Sequence, residues 1–185
     1  EEISGQPMRN LYGLAETDEG HLVTLNQAQV GTAQTEVLVL RSDGEVLSRF
    51  PLRPVARRRP GPASKPRFIA VYRDRLIVSD LGRQLIYMVS LLQEGMEIME
   101  FGHPGREPGL FSFVSGIACD EEGNMLIGDA KNNRVQLFDF HGRLVCVVGL
   151  GGRNGRLDNG RPACPFPAGL CLGARGRLFF ASRQP

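Results

Sequence analysis

The sequence predicts an all-β protein, a β-propeller with about three and a half blades in this chain, each a four-stranded antiparallel meander. Three observations predict it. A strand–turn–strand pattern recurs four times, anchored at Gly13, Phe68, Gly116 and Gly169, with spacings of 55, 48 and 53 residues. Each copy runs 12 or 13 residues from its anchor to a terminal polar residue: Asn26, Asp80, Asp129 or Ser182. The 23 glycines and 12 prolines among 185 residues suit short strands joined by tight turns better than helices. A four-stranded unit cannot bury both faces alone, so the copies must stack face to face.

The third copy shows the logic most fully. Its first strand, about 116–119, is short and built from small residues, as a strand near a crowded axis should be. A polar turn follows, with Gly123 available for a positive φ. The second strand, about 124–128, is almost wholly apolar, as expected when neighbouring blades cover both faces. The third, about 133–138, mixes Val135, Leu137 and Phe138 with Arg134 and Gln136. His141-Gly142 turns the chain into a fourth strand, about 143–148, an apolar run of β-favouring residues. The same reading places strands at 36–40 and 46–50 in the first copy and 84–89 and 96–101 in the second. The fourth copy contains two strands. The chain therefore reads as one propeller over 1–185, with blades at about 8–52, 66–102, 113–149 and a partial one at 166–185.

Composition narrows the rest. A 42% hydrophobic content in 185 residues is enough for one core, and disorder is not expected. No run of 18 apolar residues occurs, so no membrane-spanning helix and no membrane partner are expected. The start, Glu1-Glu2-Ile3-Ser4-Gly5, lacks the basic and apolar regions of a signal peptide and reads as a fragment boundary. Cys119, Cys146 and Cys171 lie in apolar strand-like runs, where a thiol behaves as a small hydrophobe, and Cys164 lies outside them. With no CxxC or zinc-like spacing, a reduced, cytoplasmic protein is expected. An open stack would expose apolar sheet at its ends, so additional blades or self-association should cover them.

The stretch from Phe101-Gly102 to Gly149 resembles an NHL repeat. The matching residues are Gly105, Phe111, Gly116-Ile117-Ala118-Cys119-Asp120, Gly123-Asn124, Asp129, Asn132-Asn133-Arg134-Val135-Gln136-Leu137-Phe138-Asp139 and Gly142. The other copies are degenerate: Asn26 and Ser182 stand where the pattern has Asp. The resemblance implies an NHL-type propeller of the kind that forms the C-terminal domain of tripartite-motif RING-type E3 ubiquitin ligases. It also implies RNA or a ligase's protein substrate as the partner. The chain contains no RING-like Cys/His cluster, so ligase chemistry would lie elsewhere in a parent protein.

Charge points to one face. In a propeller the connections between blades share a face with the loops joining second and third strands; the other turns share the opposite face. Residues 51–67 carry Arg53, Arg57, Arg58, Arg59, Lys65 and Arg67 with no acid. The connection after the third blade adds Arg153, Arg156 and Arg161 against Asp158, and the inner loops add Arg83, Lys131 and Arg183. Asp18-Glu19, Asp43 and Asp120-Glu121-Glu122 fall on the opposite face. A net charge of +2 thus conceals a polarised molecule. A clustered cationic face attracts phosphates by counterion release, and arginine both forks onto phosphate and stacks on bases. The twelve cations are the candidate RNA- or polyanion-binding residues; a solvated loop that binds nothing specific is the plainer account of them. Arg57-Arg58-Arg59 between Pro54 and Pro60 also reads as a short localisation or protein-docking signal. Arg134 is set apart, because its spacing from Asp129 suits a structural salt bridge.

Catalysis is not expected in this segment, and no metal or other cofactor is called for. Propeller enzymes exist, among them a metal-dependent amidating lyase with NHL-like repeats, but that chemistry needs converging histidines. His21, His103 and His141 fall in different turns on both faces. Asp120-Glu121-Glu122 is a solvated turn rather than an acid–base pair. Gly149 to Gly155 lacks the Lys-Ser/Thr and the following helix of a nucleotide loop. The alternative to RNA recognition is protein docking, with Leu110, Phe111 and Phe113 as apolar anchors near the loops.

Overall fold

The computed structural model describes residues 8, 10–27, 35–52, 62–93, 96–148 and 164–182. Among them are fourteen β-strands and two three-residue 3-10 turns, with no α-helix. The first sheet holds β1 (Leu11–Glu16), β2 (Leu22–Asn26), β3 (Glu36–Leu40) and β4 (Val46–Pro51). The second holds β5 (Pro66–Tyr72), β6 (Arg75–Asp80), β7 (Leu85–Ser90) and β8 (Glu97–Phe101). The third holds β9 (Val114–Cys119), β10 (Met125–Asp129), β11 (Arg134–Phe138) and β12 (Leu144–Val148). The fourth is the pair β13 (Pro167–Gly173) and β14 (Arg177–Ser182). Every pairing is antiparallel between consecutive strands, so each sheet is a meander. Neighbouring sheets touch mainly through their first strands, β1 to β5, β5 to β9 and β9 to β13. This is the arrangement of successive propeller blades, and it matches the all-β, four-stranded architecture expected from the repeat.

Period-two alternation explains the core. In β6, Leu76 and Val78 turn toward the first sheet, where they pack with Val23, Leu25, Val37 and Phe50. Ile77, between them, turns toward the third sheet and joins Phe111, Ile117, Met125, Ile127 and Phe138. The second sheet is covered on both sides, so β7 is buried along its whole length. Each such Leu, Ile or Val contributes about 1.5–3 kcal/mol through burial.

Close approach dictates small residues on the inner strands. A Cβ on Gly116 of β9 would lie 2.6 Å from the backbone N of Leu170 and 2.9 Å from Cα of Gly169 in β13. β9 begins at Val114, two residues before the expected start. The reason is Phe113, whose φ of 65° ends the incoming connection in a left-handed kink and lets Val114 enter the sheet.

The end sheets and the outermost strand are more open. In β1, Tyr12 and Ala15 face the core. Leu11 and Leu14 face away, 49% and 68% exposed. Phe179 of β14 is 57% exposed and Cys171 of β13 is also exposed. Cys146, in outermost β12, is exposed too. Cys146 and Cys171 therefore do not behave as the buried hydrophobes their apolar runs suggested, because β12 is the edge strand of its sheet and β13 belongs to the two-stranded end sheet.

Candidate functional site

The face carrying the interblade connections is organised by the residue that ends the second strand of each sheet. Asp80 ends β6 fully buried. Its Oδ1 accepts the backbone N–H groups of Lys65 at 2.8 Å, Gly82 at 2.8 Å and Arg83 at 3.0 Å. Its Oδ2 accepts the Ser64 hydroxyl at 2.5 Å. One carboxylate thus holds both the incoming connection and the outgoing loop. Asp129, at the same place in the third sheet, accepts Ser112 N–H at 2.7 Å on Oδ1. Its Oδ2 accepts Asn132 Nδ2 and Arg134 Nε, each at 2.8 Å. Gln136 Nε2 approaches the same oxygen at 3.3 Å. Burial pushes the Asp129 carboxyl above its ordinary value, while the donors from Asn132, Ser112 and Arg134 pull against that shift.

Arg134 is spent on structure, as its spacing from Asp129 predicted. Its side chain is nearly buried, and it donates onward to the carbonyls of Glu107 at 2.8 Å and Leu110 at 2.9 Å. Asn26 in the first sheet and Ser182 in the fourth are weaker versions of the same clasp. Asn26 Nδ2 donates to Glu36 Oε2 at 3.2 Å, and the Ser182 hydroxyl donates to the Pro165 carbonyl at 2.7 Å.

A second device joins one blade to the next. Gln84 and Asn133 each stand four residues after the clasping aspartate, with φ of 56° and 52°. Gln84 Oε1 accepts Val114 N–H at 2.9 Å, and Asn133 Oδ1 accepts Phe166 N–H at 3.0 Å. Sequence reasoning missed both. The signal was there: an amide residue at one spacing after Asp, where asparagine in particular tolerates a left-handed backbone.

Of the twelve candidate cations, Lys65, Arg67, Arg83 and Lys131 fall within the described residues, while Arg53, Arg57, Arg58, Arg59, Arg153, Arg156, Arg161 and Arg183 lie outside them. So does the glycine-rich stretch 149–155. Lys65 and Lys131 are exposed and Arg83 is half-buried. Arg67 is engaged elsewhere: its guanidinium lies 3.9 Å from the Tyr12 ring centroid and donates to the Pro66 carbonyl at 2.7 Å. Arg106, absent from the expected set, joins this face through the connection 102–113. With Gln84, Phe113 and Lys131 it lines a cavity of about 340 Å³ between the second and third sheets. Of the expected apolar anchors, Phe111 is fully buried and belongs to the core, stacked 5.7 Å from Phe138. Leu110 lies against Gly105, and the Phe113 ring lies 5.6 Å from Phe166.

The opposite face gathers the other turns. Asp18, Tyr72, Arg73, Asp120 and Glu121 line one depression there, and Glu121, Glu122 and Arg175 share the next. Asp120 is occupied by its own turn, accepting Glu122 and Asn124 N–H at 3.0 and 2.7 Å. Among the described residues, no three His, Cys, Asp or Glu side chains are placed to hold a metal ion.

No protein-family model matches the chain. Its fold is similar to that of virginiamycin B lyase from Staphylococcus aureus, with a TM-score of 0.63 and 17% identity over 96% of this chain and 50% of that one. Glutaminyl cyclase from Myxococcus xanthus gives a TM-score of 0.57 at 15% identity, covering 93% of this chain and 61% of that one. A chain of the nidogen/laminin complex gives 0.60 at 16% identity, covering 95% and 58%. The chain therefore spans about half the length of the lyase it matches. At these identities the likeness concerns the fold alone, and that fold is the β-propeller.

Proposed function

We propose that this chain is a non-catalytic recognition module that holds RNA on the face carrying the interblade connections. One observation supports the reading above the rest. Lys65, Arg83, Arg106 and Lys131 lie on that face, and among the described residues none of them enters an ion pair. Cations left unpaired on a rigid face attract phosphate backbones. The arginines at 53, 57, 58, 59, 153, 156, 161 and 183 belong to the same proposed surface through their place in sequence. The NHL-like string supports a further reading: a cytoplasmic parent protein that is a RING-type E3 ubiquitin ligase of the tripartite-motif kind, with this propeller selecting its RNA or protein substrate.

The test is filter binding of single-stranded RNA across a salt series. Affinity should fall steeply with salt, and Arg57/Arg58/Arg59→Ala should weaken binding and flatten the slope. Salt-independent binding, or binding untouched by the triple substitution, removes the electrostatic account.

Protein docking is the second reading, and the nidogen/laminin neighbour favours it as a propeller solved in a protein complex. RNase-insensitive capture of a partner on the same face would select it over RNA. In either case the exposed Leu14 and Phe179 support a reading in which further blades, or a second copy of the chain, cover the end sheets. A stable compact monomer of this segment in light scattering would remove that part.

A further inference from the structure

We propose that the notch between the second and third sheets is a seat for one phosphomonoester, presented by a partner protein as phosphoserine or phosphothreonine. This does not rest on RNA recognition and would stand if that reading failed.

The notch is built rather than incidental. Its volume of about 340 Å³ lies at the small end of ligand pockets. Several of its lining residues are tied by hydrogen bonds to neighbouring loops and strands. Ser112 N–H is held by Asp129, and Val114 N–H by Gln84. Lys131 and Ala130 donate their backbone N–H groups to the carbonyls of Ser112 and Phe113, each at 3.0 Å. The Gly105 carbonyl accepts Asn132 Nδ2 at 3.0 Å.

Charge identifies the ligand. Arg106 and Lys131 are exposed, line the notch and form no ion pair with any described residue. The acid beneath the floor, Asp129, is committed to Arg134. Glu107 does not line the notch. Two uncompensated cations match a phosphomonoester, which carries about −1.5 to −2 at neutral pH, better than a singly charged phosphodiester. Arginine supplies a fork for two oxygens and lysine a point charge. The Phe113 ring is already engaged, by Phe166 at 5.6 Å and by the Lys131 ammonium at 6.0 Å, rather than set out as a platform for successive bases.

Titration of the isotope-labelled chain, followed by NMR, tests this. The probes are inorganic phosphate, blocked phosphoserine, blocked serine and a 5′-hydroxyl oligouridine. Phosphate and phosphoserine should shift the amides of Gly105, Ser112, Phe113 and Lys131 saturably, and serine should not. Arg106→Ala and Lys131→Ala, both at exposed positions, should each weaken phosphoserine binding by about tenfold while the rest of the spectrum stays unchanged. Absence of a saturable shift with either phosphate probe, or shifts that persist in both variants, would overturn the site. Shifts with oligouridine but not phosphoserine would reassign it to nucleic acid and overturn the peptide proposal. Loss of RNA binding in Arg57/Arg58/Arg59→Ala with phosphoserine binding retained would show that the notch holds a phosphomonoester independently of that arginine cluster.

Discussion

The side-chain oxygen of Asn133 accepts the backbone N–H of Phe166, 33 residues later, at 3.0 Å. Gln84 does the same for Val114, 30 residues later. Both acceptors sit in left-handed backbone just after a second strand, and both donors are where the next blade's first strand begins. One short side chain therefore sets where the following blade starts.

Asn133→Ala should destabilise the fold by about 1–3 kcal/mol, because the Phe166 N–H loses its acceptor and alanine resists the positive φ. Asn133→Gly relieves the backbone part only, so it should fall between wild type and alanine. Urea unfolding midpoints measure both. Equal midpoints for all three proteins would mean the hydrogen bond does not matter.

Asp129→Asn should cost more, about 3–5 kcal/mol, since it leaves the Arg134 guanidinium buried without its counter-charge. Combining it with Arg134→Met should recover part of the loss, because an unpaired buried charge is removed. Thermal unfolding of the two single variants and the double variant gives the coupling.

Asp139 gives a pH signature. Its carboxylate accepts the backbone N–H groups of Arg143 and His141, each at 2.9 Å, and the Arg143 Nε–H at 2.7 Å. These contacts, led by the Arg143 backbone N–H, hold its carboxyl below the ordinary value. A depressed folded-state value means a stabilisation present above the ordinary carboxylate range and lost as pH falls through the folded value. Asp139→Asn should thus flatten the acid limb of a stability–pH curve below about pH 4 and leave its shape near neutrality unchanged. Denaturant midpoints across that range decide it.

The cysteines should divide by exposure. Burial, aided by Asp120, pushes the Cys119 thiol up to about 12, and burial pushes Cys164 up as well. Iodoacetamide at about pH 8 should label exposed Cys146 and Cys171 first and leave Cys119 unmodified until unfolding. Peptide mass mapping over time shows the order; early labelling of Cys119 would contradict its placement.

Gly116→Ala should destabilise by about 1–3 kcal/mol, because the added methyl meets the backbone of Leu170 and Gly169 rather than a side chain that could swing aside. Gly169→Ala, where a Cβ meets nothing within 4 Å, serves as the contrasting substitution. Calorimetric melting of the pair checks the difference.

The sequence by itself determined the strands, their meander order and the blade architecture. These follow from local rules: alternation places Leu76 and Ile77 on opposite faces, and Gly123 and Gly142 take the positive φ their turns need. It also determined the Asp129–Arg134 pair, because five residues across one hairpin loop bring the two side chains together. Only the tertiary structure decided what meets across blades. That Asp80 and Asp129 hold the incoming connection, that Arg67 lies on Tyr12, and that Arg106 and Lys131 line one notch all depend on how sheets are placed against one another. Those partners are 15 to 55 residues apart in the chain, and several donors are backbone N–H groups, which every residue type but proline supplies alike. Such contacts leave no local pattern to read.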